Sequence, residues 1–159
     1  MTGTAFSSWP AARRVHSSAP PRSVRVAFVA LVAALLAGVA EAIVRAARAF
    51  DTNPADLVAG LGMRVAIYLV VLSVAVRMAK GDRWARLLIT VGIGVFGLLS
   101  LIIEPLAAAM SAQEFRDLFT DVTPASLWLA VFRTVHIAAV LIAIPALYTG
   151  SARRWFRER

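Results

Sequence analysis

Cysteine is absent from all 159 residues, and lysine occurs once, at Lys80. Without thiols there is no disulfide framework, no thiolate metal site and no quinone-linked thiol oxidoreductase chemistry, which excludes whole classes of small redox membrane enzymes. Histidine is nearly as scarce, with only His16 and His136. His16 falls in a Ser- and Pro-rich N-terminal stretch, so the apolar part of the chain holds a single imidazole. One imidazole is too few for a bis-histidine haem, and it needs carboxylate help to hold a metal, so a hydrogen bond to a helix neighbour is the expected role of His136. No cofactor and no metal are expected. Nor does the chain show a nucleophile paired with a base, so it is not expected to be an enzyme.

What the sequence does contain is apolar: 60% of residues are hydrophobic and the mean hydropathy is +0.75, far above globular usage. Basic residues outnumber acidic ones by 17 to 9. They stand in short clusters beside apolar runs, which is where anionic lipid attracts each of them by about 1 kcal/mol. That placement predicts anionic lipids of the bilayer as partners and argues against nucleic acid. A protein partner or a second copy of the chain is also compatible with it.

Residues 1–22 combine Ser, Gly and Thr with Pro10, Pro20 and Pro21 and lack apolar periodicity, so a disordered basic tail is expected there. Four stretches then have the length that a hydrocarbon core of about 30 Å requires, at about 24–44, 57–78, 86–104 and 126–149. Together they give a transmembrane domain over 23–150, followed by a basic tail over 151–159. Asn53-Pro54 and Thr123-Pro124 each read as an N-cap followed by proline at the first helical position, and Asp82 after Gly81 as the cap of the third span. Glu104 and Pro105 are expected to close that span. Leu106, Met110, Phe115, Leu118 and Phe119 recur at helical spacing between spans three and four, which predicts a short amphipathic helix there.

Orientation follows from arginine. Arg13, Arg14, Arg22 and Arg25 precede span one; Arg77, Lys80, Arg83 and Arg86 surround the second turn; Arg153, Arg154, Arg157 and Arg159 end the chain. The other two connections lack such an excess, with Asp51 and Asp56 against Arg45 and Arg48 in one and Glu114, Asp117 and Asp121 against a lone Arg116 in the other. By the positive-inside rule both termini are cytoplasmic. The fold class expected is an all-α membrane protein, a four-helix transmembrane bundle in a bacterial plasma membrane. Ala40-Glu41-Ala42 has the look of a signal-peptide cleavage site, but Arg45 and Arg48 just beyond it are unusual there, and span one is expected to stay uncleaved.

The residues that could carry chemistry are the ionisable ones inside the spans. At about 1.5 Å per residue, Glu41, Arg64, Glu104, Arg133 and His136 fall in one layer, roughly 21 to 27 Å above the inner boundary. A lone charge at mid-helix costs about 2.5–3.5 kcal/mol, so these groups must be paired or hydrated. Interhelical ion pairs that fix helix neighbours would make the chain a structural or accessory membrane component. A polar pocket open to the outer leaflet would instead make it a binder or transporter of lipid or small solutes. Arg64 and Arg133 would then hold a headgroup or anion, and Glu41 or Glu104 would exchange a proton. Local pairing of Glu41 with Arg45, one turn on, would dissolve part of the cluster. The glycines of Gly92-Ile93-Gly94-Val95-Phe96-Gly97 match a dinucleotide-binding pattern but lie inside a span, where close helix packing accounts for them, as it does for Ala34, Gly38 and Ala42.

The stretch Met78-Ala79-Lys80-Gly81-Asp82-Arg83-Trp84-Ala85-Arg86 is a basic turn with glycine that leads into Trp-Ala-Arg at the start of a span. It resembles the second-to-third helix turn of small actinobacterial four-helix membrane proteins. The resemblance covers residues 22–150 and implies the four-helix fold, but brings no activity with it.

Overall fold

A computed structural model describes residues 19–49, 54–111 and 123–159, and among them helix is the only regular secondary structure. Helix α1 spans Arg22–Ala49 and α2 spans Pro54–Ala79. The third pass is built of three pieces: α3 (Arg83–Ile89), a π-helical segment (Thr90–Gly97) and α4 (Leu98–Ser111). Helix α5 spans Pro124–Leu147, and a short α6 spans Gly150–Arg157. Four helical stretches are long and apolar enough to cross a membrane: Arg22–Ala47, Val58–Ala79, Arg83–Ile103 and Ser126–Leu147. Val58, Leu69, Leu88, Phe96 and Leu141 are each more than half exposed on them, an apolar surface suited to lipid tails and not to water.

The passes run up and down. Val24 at the start of α1, Met78 at the end of α2, Ala85 in α3 and Leu147 at the end of α5 share one buried cluster. We refer to this as the basic end, since Arg77, Lys80, Arg83, Arg86 and the C-terminal arginines gather around it. Helix α1 packs most extensively on α5. Val24, Ala27, Leu31, Ala34, Gly38 and Glu41 alternate at spacings of three and four and form its buried face, and Ala139, Val140 and Ala143 answer from α5. Small side chains on both sides let the two backbones approach, which is how helices associate where lipid offers no hydrophobic drive.

Helix caps fix the connections. Asp82 accepts hydrogen bonds from the backbone N–H groups of Trp84 and Ala85, at 2.9 and 3.2 Å, and Arg77 donates to its other oxygen. The backbone donors, Ala85 first, hold its carboxyl below the usual carboxylate range, so the capped turn is stabilised at neutral pH and loses that stabilisation as acid protonates the group. Gly81 precedes it at φ +100, where a Cβ would lie 2.9 Å from Arg159 Cγ and 3.3 Å from Trp155 Nε1, so only glycine fits the turn. Thr123 forms a capping box with Ser126, with Pro124 opening α5. Asn53 lies outside the described residues.

Three features depart from the sequence expectation. The apolar span of the third pass ends at Ile103, directly before Glu104 and Pro105 as expected, but its helix does not: α4 runs on to Ser111. Proline's fixed φ is already helical, so the chain gives up one hydrogen bond there and keeps its course. The amphipathic helix expected in this connection falls largely on residues 112–122, outside the described residues. Second, Thr90–Gly97 winds as a π-helix. Three glycines in eight residues weaken the preference for α geometry, and the Thr90 hydroxyl donates to the Arg86 carbonyl at 2.9 Å. Third, the C-terminal residues expected as a basic tail include a helix, α6, whose Ala152 and Phe156 are buried in the cluster at the basic end. Two apolar side chains four residues apart are one face of a single helical turn, too short a pattern to stand out among arginines.

Candidate binding site in the charged layer

Glu41 is the hub of the charged layer. It sits on the buried face of α1, 8% exposed, among alanines and Gly38. Its Oε1 accepts from Arg45 Nη2 at 2.9 Å and Nε at 3.1 Å, and from Arg133 Nη2 of α5 at 3.2 Å. The Arg45 contact is the local one, a turn along the same helix; the Arg133 contact ties α1 to α5. One carboxylate thus serves two guanidinium groups, which suits a buried charged group.

Arg64 stands apart from this pair. It lies on α2, exposed, and no ion pair to it occurs among the described residues. Four residues on, and so on the same face, Tyr68 reaches across to α1 and donates to the Gly38 carbonyl at 2.9 Å. A Cβ on Gly38 would sit 3.2 Å from that hydroxyl oxygen, so the glycine makes room for the tyrosine. Arg64, Tyr68, Glu41, Arg133 and His136, with Ser100 of α4, line a cavity of about 390 Å³. Among its described lining residues three guanidinium groups face one carboxylate. Glu104 belongs to α4, but its side chain lies outside the described residues.

Below the polar cavity, towards the basic end, lies a second one of about 400 Å³ with an almost wholly apolar lining, including Leu31, Ile67, Val71, Val74, Leu88 and Ile93. Tyr68, Gly97 and His136 line both cavities. The two exist because α2 packs on α3 near their shared turn but scarcely on the π segment or α4, so a gap widens with distance from the basic end. Glycine deepens the gap. Gly92 lines the apolar cavity and has nothing within 4 Å of where a Cβ would be, whereas Gly94 faces Ile144 of α5 at 3.1 Å. Only Gly94 therefore fits the close-packing role expected of these glycines.

No family model, curated protein or solved structure matches the chain. The site must be read from its own chemistry.

His136 is placed at the junction of the two cavities with Nδ1 buried and without a hydrogen-bond partner among the described residues. The helix-neighbour hydrogen bond expected of it is not made at that atom. A buried imidazole nitrogen left unsatisfied next to open volume is a group suited to hydrogen-bond whatever enters. Of the five residues singled out in sequence, the structure brings Glu41, Arg64, Arg133 and His136 to one cavity. Tyr68 and Ser100 join them without having stood out in the sequence. Tyr68 did carry a signal: it is one of only two tyrosines in the chain, at mid-span and one turn from an arginine.

Proposed function

We propose that this chain is a multi-pass plasma-membrane protein that binds an anionic amphiphile, with the charged group at Arg64, Arg133 and His136 and the apolar tail in the cavity below. The observation that carries this is the junction itself: a polar cavity with excess guanidinium and an apolar one of similar size meet at Tyr68, Gly97 and His136. Each volume lies within the range of small-molecule sites, and the division into charged and oily halves matches a lipid or fatty acid better than a hydrophilic solute. The positive-inside distribution supports an orientation with both termini cytoplasmic and the charged layer towards the outer leaflet. In that orientation the headgroup end of the site faces the outer surface and the tail points to the membrane middle, as in a lipid of the outer leaflet.

The ion pairs of Glu41 belong to the same design. By tying α1 to α5 they hold one wall of the cavity and turn Arg133 towards it, so the structural and the binding roles reside in one cluster. Arg64, which no carboxylate neutralises among the described residues, supplies the charge for the ligand. Native mass spectrometry of the gently extracted protein tests this. The wild type is expected to carry an anionic amphiphile, and Arg64→Gln and His136→Ala should each lower its occupancy about tenfold, as for loss of one hydrogen bond to a charged group, without lowering the yield of folded protein. Unchanged occupancy in both variants would refute the assignment.

A further inference from the structure

A separate cavity at the basic end has different chemistry. It measures about 470 Å³ and is lined by Arg83 and Arg86 of α3, Tyr148 after α5, and Arg153, Phe156 and Arg157 of α6. Among the described residues, four guanidinium groups converge on it and no carboxylate lines it. Two acids adjoin its residues in sequence: Asp82, next to Arg83, is taken by Arg77 and by the cap of α3, and Glu158, next to Arg157, is exposed and not part of the lining.

Arg86 is the built part of this site. Its guanidinium carbon lies 5.1 Å from the centroid of the Tyr148 ring and 4.9 Å from that of Phe156, so two aromatic rings hold the group in place. Both rings are themselves fixed: Phe156 is buried in the cluster at the basic end, and the Tyr148 hydroxyl donates to Thr90 Oγ1 at 3.0 Å, which in turn donates to the Arg86 carbonyl. Arg86 Nε is buried and has no hydrogen-bond partner among the described residues. A planar guanidinium pre-oriented by aromatic contacts, with a donor unsatisfied and three further arginines around one cavity, has the features of a phosphate receptor. The site lies where the apolar spans begin, beside the exposed Trp84 in the first turn of α3, at the level of lipid headgroups.

We propose that this cavity binds a phosphate group, with Arg86 as the oriented donor and Arg83, Arg153 and Arg157 as the surrounding charge. The phosphate is that of an anionic phospholipid headgroup or of a soluble phosphate compound. The site explains α6: folding the C-terminal helix back under the bundle brings Arg153 and Arg157 to the arginines of α3. It is independent of the cavity around Glu41, which it does not touch.

The full-length protein in phosphatidylcholine nanodiscs doped with phosphatidic acid tests the proposal, with retained phosphatidic acid counted by native mass spectrometry. A parallel arm uses undoped nanodiscs and titrates inorganic pyrophosphate. Arg86→Lys keeps the charge and loses the planar, stacked fork, and it is expected to weaken binding about tenfold. Arg153→Gln with Arg157→Gln, both exposed positions, should do the same if Arg86 variants fold poorly. Arg154→Gln, on α6 but outside the cavity, removes equal charge per site and should leave binding near wild type. Losses confined to the doped nanodiscs identify a lipid headgroup, and losses in the pyrophosphate arm identify a soluble phosphate; either supports the site. If the cavity variants bind like Arg154→Gln in both arms, the arginines act only as a diffuse basic surface and the proposal fails.

Discussion

Glu41→Gln is expected to cost about 3 kcal/mol of stability in a detergent unfolding titration, more than any other single change in the charged layer. The size follows from the sharing of one carboxylate. The side chain of Arg133 is 19% exposed, and with Glu41 neutral its charge remains half-buried without that acid. Arg45, 35% exposed and near the end of α1, can turn outward and so contributes less to the loss. Arg133→Gln should cost only about 1 kcal/mol, because Glu41 keeps Arg45. The double variant Glu41→Gln with Arg133→Gln should regain part of what the first lost, since the cation that paired with Glu41 goes with its acid. A cost for Arg133→Gln equal to that of Glu41→Gln, or no recovery in the double variant, would show that Glu41 is not the hub.

Gly92→Phe has the opposite profile: a large effect on binding and little on folding. Gly92 has open space where a Cβ would be, on the wall of the apolar cavity, and a phenyl ring there occupies the volume meant for the ligand's tail. Occupancy of the anionic amphiphile should fall tenfold or more. Stability should hold or rise by up to about 1 kcal/mol, since glycine is a poor helix residue and the ring fills an existing space. Gly94→Phe, two residues on, is expected to destabilise the bundle instead, because Ile144 stands 3.1 Å from its Cβ position. If both variants lose stability alike, the space beside Gly92 is not a cavity that the folded protein maintains.

These contrasts show how far the residues themselves announce the structure. The four spans were legible because length and hydropathy are summed over some twenty residues, and no single error of boundary undoes them. The N-caps at Asp82 and Thr123 were legible because the signal is local: a short polar acceptor beside the N–H groups it satisfies. The partners of the charged layer were legible in part. Depth along each helix follows from counting, so Glu41, Arg64, Arg133 and His136 could be assigned to one layer, but helix rotation decides which charge meets which, and that depends on packing over the whole of α1 and α5. The cavities were not legible at all. They arise where α2 and the third pass diverge, a property of two helices and no one segment, and from an unusual winding at Thr90–Gly97 whose glycines allow it without requiring it. The return of α6 was hidden for a similar reason, as Ala152 and Phe156 acquire meaning only from the cluster they complete.

The central claim, an anionic amphiphile held with its tail between α2 and the third pass, is tested most directly by covalent mapping. An anionic phospholipid carrying a photoactivatable group along its acyl chain is incorporated with the protein in nanodiscs, irradiated, and the adducts are located by peptide mass spectrometry. Adducts concentrated on Val71, Val74 and Ile93, the half-buried residues of the apolar cavity, and lost in Gly92→Phe, are the predicted result. Labelling spread evenly over Val29, Leu36 and Leu141, which face the surrounding lipid, with the cavity residues no more reactive than these, would contradict it.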